Sequence, residues 1–199
     1  MFTKNEDLHG SAPDSSKVAL LIIDMINDFN FEDGDQLLNN SLQICENIHA
    51  LKQNAKKLNI PVLYVNDNFG KWKSDFKLLV KHCIGENSKG KKITQLLHPD
   101  DEDYVVLKPK HSGFFSTTLD VLLKYLQTER LILTGITTDI CVFFTANDAY
   151  MRDFQLFVPS DCVAAVHEHQ HKNALENIQR ILKADISVFS NIDLTKLKL

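Results

Sequence analysis

The sequence predicts an α/β fold: one domain over residues 17–199, built on a mainly parallel six-stranded sheet with helices on both faces. Three observations carry the prediction. The run Val18–Ile23 is apolar with no polar alternation, as in a central strand buried on both faces. Short β-type runs then alternate down the chain with segments of helical period. The connecting segments are of helix length, which implies right-handed βαβ crossovers and parallel strands.

The elements follow in order. Residues 1–16 are polar and mixed in charge, and read as a flexible N-terminal arm. After the first strand, Ile44, Ile48, Leu51, Ala55 and Leu58 recur at steps of four and three, the stripe of an amphipathic helix. Residues 61–65 form the second strand. Residues 66–103 are rich in Lys, Asp, Gly and Asn, and read as a long excursion with one short helix, the length typical of a lid or binding loop. Residues 104–107 are the third strand. A helix with Leu119, Leu122, Leu123 and Leu126 on one face follows, with Ser116 or Thr117 as N-cap and Asp120 closing a capping box from Thr117. Residues 131–134 are the fourth strand, closed by Gly135. The helix over 139–152 turns Val142, Ala146, Ala149 and Tyr150 inward. Residues 156–158 are the fifth strand, 167–183 a helix burying Leu175, Ile178 and Leu182, and 186–189 the sixth strand.

Composition removes several function classes. Of 199 residues, 44% are hydrophobic and 24% charged, enough for one sizeable core and ordinary for a folded domain. A net charge of −4 without a basic stripe argues against nucleic acid or an anionic membrane as partner. No apolar run is long enough to span a bilayer, and the first 16 residues lack the apolar core of a secretory signal. Cys45, Cys83, Cys141 and Cys162 show no paired spacing and read as reduced thiols, so a cytoplasmic location is expected.

In open α/β sheets, ligands bind beyond the carboxyl ends of the strands, at the point where strand order reverses. Polar residues that directly follow strands are therefore the functional candidates. Asp24 ends the first strand, Lys108 ends the third, and Cys141 lies in the turn from the fourth strand into its helix. Singly, each has a plain structural reading: a capping carboxylate, a snorkelling lysine, a small buried thiol. Together on one sheet edge they make a coherent nucleophilic site. A thiol of pKa about 8.5 needs a base or a positive environment to attack at neutral pH. Lys108 and a helix N-terminus at Cys141 are both expected to favour thiolate. Asp24 is placed to accept the proton and return it to a leaving amine.

The segment Gly135-Ile136-Thr137-Thr138-Asp139-Ile140-Cys141-Val142, followed by Thr145 to Ala149 (TANDA), resembles the signature turn of the isochorismatase-like cysteine hydrolases. So do Leu21 to Phe29 (LIIDMINDF) and Lys108 to Leu119 (KPKHSGFFSTTL), in the family's order, over roughly residues 17–190. The resemblance implies a Rossmann-like three-layer fold, Cys141 as nucleophile, Asp24 as proton acceptor and donor, and Lys108, chosen over Lys110, as the charge that holds the site together. It also implies a cis peptide bond between Ile136 and Thr137, with the N–H groups of Thr137 and Cys141 as oxyanion hole. The substrate is then a small molecule, and a homo-oligomer, dimer or larger, is expected.

The nicotinamidase branch of that family carries a metal site after its second strand. Here Asp67 matches the metal aspartate, but Phe69 stands where a histidine is wanted and His82 lies far downstream, so no metal and no other cofactor are expected. With Cys141 in place, the expected reaction is hydrolysis of a C–N bond in an amide, ureide or carbamoyl compound. Two alternatives stand beside it: vinyl-ether cleavage of the isochorismate type, with Asp24 as acid, and a non-catalytic binding module on the same fold. His167 to His171 (HEHQH) also satisfies the H-E-x-x-H zinc pattern, with both histidines extending the buried stripe of their helix. No third ligand follows, and histidines bonded to neighbouring loops are the simpler reading. Phe29 and Trp72 are the aromatic candidates for a substrate wall.

Overall fold

The computed structural model describes Ala12, residues 14–69 and residues 75–199. Strand β1 (Val18–Ile23) is followed by α1 (Gly34–Lys57), β2 (Val62–Asp67), α2 (Phe76–Cys83), α3 (Lys91–Leu96), β3 (Tyr104–Lys108) and α4 (Leu119–Tyr125). Then come β4 (Arg130–Ile136), a π-helical turn (Thr138–Val142), α5 (Phe143–Tyr150), β5 (Gln155–Phe157), β6 (Val163–Ala164) and α6 (Glu168–Leu182). A 3-10 turn (Phe189–Asn191) and α7 (Leu194–Lys198) close the chain.

The strand order is β3-β2-β1-β4-β5, with β6 paired to the end of β4, and every pairing of these strands is parallel. All six residues of β1 are fully buried, which is why its sequence shows no polar alternation. Even-numbered β1 residues (Val18, Leu20, Ile22) pack under α1 with Leu37, Ile44, Ile48 and Leu51. Odd-numbered ones (Ala19, Leu21, Ile23) pack with Leu119 and Leu123 of α4, Ala146 and Ala149 of α5, and Ile178 of α6. The sheet is thus covered on both faces. Strand order reverses between β1 and β4, and the carboxyl ends of these two strands bracket the site.

Several local expectations are corrected. The sixth strand is Val163–Ala164, not residues 186–189. Asp185 forms only an isolated bridge to Phe157, and the chain then turns because Asp161 and Asp185 carboxylates accept the Phe189 and Ser187 N–H groups. The excursion holds two helices, α2 and α3, rather than one. Thr118 caps α4 without a side-chain bond. Thr117 Oγ1 instead accepts from Leu119 N and donates to Gly113 O, and Asp120 turns to Lys124 and Arg152. Tyr150 is exposed rather than inward. Of the arm expected over residues 1–16, residues 1–11 and 13 lie outside the described residues. Ser16 is buried, with its N–H on Leu126 O, and Tyr104 donates to Asp14. Among the described residues no helix is long and apolar enough to cross a membrane.

Candidate active site

The parallel register brings the strand ends to one edge. Ile23 pairs with both Val65 and Gly135, and Asp67 pairs with Lys108. Asp24, Lys108 and Cys141 meet there. Lys108 Nζ lies 2.8 Å from Asp24 Oδ2 and 3.4 Å from Cys141 Sγ. Lys108 is fully buried, Asp24 is 6% exposed, and Cys141 is half-buried. Lys110, two residues on, is exposed. A buried charge pair of this kind persists because each partner compensates the other's lost hydration.

Backbone geometry aims these groups. Asp24 leaves β1 in the left-handed region (φ 54°), where its Oδ1 accepts the Asp67 N–H at 2.6 Å. The Asp67 carboxylate itself stands 3.9 Å from Lys108 Nζ. Gly135 has φ 107°, and a Cβ there would sit 2.0 Å from Ile23 O. Only glycine lets β4 approach the end of β1 so closely. Gly135→Ala is therefore expected to cost at least about 2 kcal/mol from backbone strain and overpacking, read as a lowered thermal midpoint.

The peptide bond between Ile136 and Thr137 is cis. Thr137 O then accepts from both Ile140 N and Val142 N, each at 3.1 Å, which winds residues 138–142 into the π-helical turn bearing Cys141. The loop after Lys108 is pinned to α5, where Gly113 N donates to Thr145 Oγ1 at 3.0 Å and Ser112 donates to Asp148.

The electrostatics of the three groups are coupled, and Lys108 favours the Cys141 thiolate as expected but is outweighed. Burial, reinforced by the Asp24 carboxylate and opposed by Lys108, pushes the Cys141 thiol well above its usual value. Burial also raises Asp24, against the pull of Lys108, which makes it a stronger base than an exposed aspartate. Burial alone would lower Lys108, but Asp24, Cys141 and Asp67 outweigh it and hold the ammonium above its ordinary value.

The other candidates fall elsewhere. Phe29 has no exposed surface and lies in the core, its ring stacked at 6.5 Å beneath the exposed Phe31, so it presents no face to an open cavity itself. Trp72 lies outside the described residues. An open cavity of about 400 Å³ near the ends of β2 and β3 is walled by Phe31, Phe69, Leu78 and Leu107 instead. His167 is an exposed N-cap, stacked on His169, and not part of a buried stripe. His171 is half-buried and bonds Thr138 Oγ1 at 2.9 Å through Nδ1, a contact the sequence offered only as a generic loop bond. Cys45, Cys83 and Cys162 are buried and form no disulfide.

Among the described residues, the donors near β2 do not suit zinc or iron. Asp67 accepts the Phe69 N–H and faces Lys108, Phe69 offers no ligand, and His82 Nε2 is 2.7 Å from Asp28 Oδ2.

Comparison with known proteins agrees with the geometry. The isochorismatase domain model matches residues 18–187. The isochorismatase family protein YaaI of Bacillus subtilis is 41% identical over 174 residues, covering 87% of this chain and 95% of that protein. The isochorismatase of the same organism is 32% identical over 169 residues, covering 82% of this chain and 53% of that protein. The crystal structure of N-carbamoylsarcosine amidase from Thermoplasma acidophilum superposes with a TM-score of 0.68 at 26% identity, covering 89% of this chain and 99% of that one. With Asp24, Lys108 and Cys141 meeting where the sheet reverses, and a family model spanning nearly the whole domain, this chain belongs to the isochorismatase family of hydrolases.

Proposed function

We propose that the protein is a metal-independent cysteine hydrolase that cleaves a C–N bond in a small amide, ureide or carbamoyl compound. The observation that carries this reading is the contact of one buried lysine with both a carboxylate and a thiol, at 2.8 and 3.4 Å. A vinyl-ether cleavage run by an aspartic acid alone has no use for the thiol.

In the proposed cycle, Asp24 takes the Cys141 proton as Sγ attacks the substrate's carbonyl carbon. The oxyanion of the tetrahedral intermediate is met by the N–H groups of Thr137 and Cys141. Protonated Asp24 then gives its proton to the nitrogen of the breaking C–N bond, which leaves as amine or ammonia. A water, deprotonated by Asp24, attacks the resulting thioester; the acid departs and the thiol recovers the proton. Lys108 stays charged throughout, offsetting Asp24 at rest and the developing negative charge during attack. The reading includes cytoplasmic location with reduced thiols, and a homo-oligomer of two or more copies.

The test is ammonia release from a panel of small amides, ureides and carbamoyl compounds at neutral pH. Release from at least one class supports the reading; release from none, with isochorismate cleaved instead, replaces it by vinyl-ether hydrolysis. The pH profile is a second check. Asp24 must be unprotonated to act, and burial holds its pKa above the ordinary 3.8, so kcat/KM is lost as pH falls through that raised value. The acid limb is expected above pH 3.8, and a limb at or below it contradicts Asp24 as base.

A further inference from the structure

We propose that His171 is a positioning residue: through its bond to Thr138 it holds the π-helical turn that sets Cys141 Sγ against Lys108 and Asp24. The proposal rests on the hydrolase reading for its purpose, but on geometry for its content.

The turn Thr138–Val142 is held at its start from two directions. The Thr137 carbonyl ties it from within, accepting from Ile140 and Val142. From outside, α6 packs across it, and the contact with chemical direction is His171 Nδ1 to Thr138 Oγ1 at 2.9 Å. Thr138 is fully buried, so its hydroxyl needs a protein partner. His171 lies one turn inside α6, and its own N–H donates to His167 O at 3.1 Å, so the ring is carried by regular helix rather than by a loop. Ring and nucleophile are then linked by one hydrogen bond and three residues of turn.

The charges around the ring favour an acceptor at Nδ1. Burial lowers the His171 pKa, and Lys172 on the same helix adds to the fall. Asp139 of the turn and Glu168 of α6 oppose them. The neutral imidazole that results accepts the Thr138 hydroxyl when Nε2 carries its proton. If the bond is lost, the turn can relax, and the thiol moves away from the lysine that it meets at 3.4 Å. Displacements near 1 Å in such a site cost about 10- to 100-fold in rate.

The experiment uses iodoacetamide on the full chain, with Cys141 alkylation followed by peptide mass from pH 6 to 10. It needs no substrate, so it stands even if the panel of amides yields nothing. The variants are His171→Ala, His171→Asn, Thr138→Val and the double variant Thr138→Val/His171→Ala. A loosened turn exposes the thiol and brings its raised pKa back towards an ordinary value. His171→Ala is therefore expected to alkylate about tenfold faster than wild type at pH 8, and turnover, where a substrate is in hand, to fall in kcat with little change in KM. His171→Asn, whose Oδ1 can stand in for Nδ1, is expected to stay within about twofold of wild type. Thr138→Val should reproduce His171→Ala, and the double variant should add nothing, since both remove the same bond. Equal alkylation of wild type and His171→Ala overturns the proposal. So do additive effects of the two substitutions, or faster labelling matched by equal labelling of buried Cys45 and Cys162, which would mark global unfolding.

Discussion

Replacing Cys141 with alanine is expected to reduce ammonia release from the responsive substrate by on the order of 10⁴-fold or more, because the acyl group then has no atom to bond to. Folding should survive. Removing Sγ takes away one partner of Lys108 but leaves its 2.8 Å contact with Asp24, and the half-buried thiol fills little of the core. A thermal midpoint within a few degrees of wild type, alongside lost turnover, is the expected pair of results. Turnover that persists in Cys141→Ala overturns the thioester route. It moves the chemistry to acid catalysis by Asp24, with isochorismate as the compound to try.

Lys108→Met is expected to have the largest effect on stability. The lysine is fully buried, and without it the Asp24 carboxylate is left in a low-dielectric site, still holding the Asp67 N–H. Breaking a buried pair from one side costs about 3–5 kcal/mol, which for a chain of this length lowers the thermal midpoint by roughly 6–20 °C. Adding Asp24→Asn should recover part of that loss, since it removes the stranded charge, while activity stays absent in both variants. The pH dependence has a definite sign. The Lys108 pKa is raised above 10.5 in the folded protein, so its contribution is complete below pH 10.5 and is lost as pH rises through the higher folded value. Wild type should show a larger alkaline loss than Lys108→Met, which keeps only the share carried by other raised groups such as the Cys141 and Cys162 thiols. An undiminished midpoint in Lys108→Met would mean that the pair does not hold the site together.

The core strands and the three candidate side chains were legible in sequence because each depends on chain-local chemistry. Val18–Ile23 announces a doubly covered strand by lacking polar residues, and polar groups directly after such strands mark the edge where parallel sheets place ligands. Sequence and structure part company where a neighbour in space decides the outcome. Val163–Ala164 is too short to show a period and is a strand only because Gly135 and Ile136 lie beside it. Residues 186–189 have strand-like composition, yet carboxylates of Asp161 and Asp185 capture their backbone and turn it. Phe29 follows the Asp24 motif, but a left-handed backbone (φ 55°) directs its ring into the core.

The sequence by itself determined the layered sheet and the edge on which Asp24, Lys108 and Cys141 gather, since periodicity and the order of residues along strands specify these, while the family motifs singled those three out. Only the tertiary structure decided the electrostatic surroundings of that site and how its turn is held. How far the Cys141 thiol is pushed up depends on burial and on its distances to Asp24, just past β1, and Lys108, at the end of β3. The bond from Thr138 to His171 joins residues 33 apart through the packing of α6, and no local pattern encodes it. Both are sums over neighbours in space, and those neighbours are assigned only when the sheet closes its register and the helices settle on its faces.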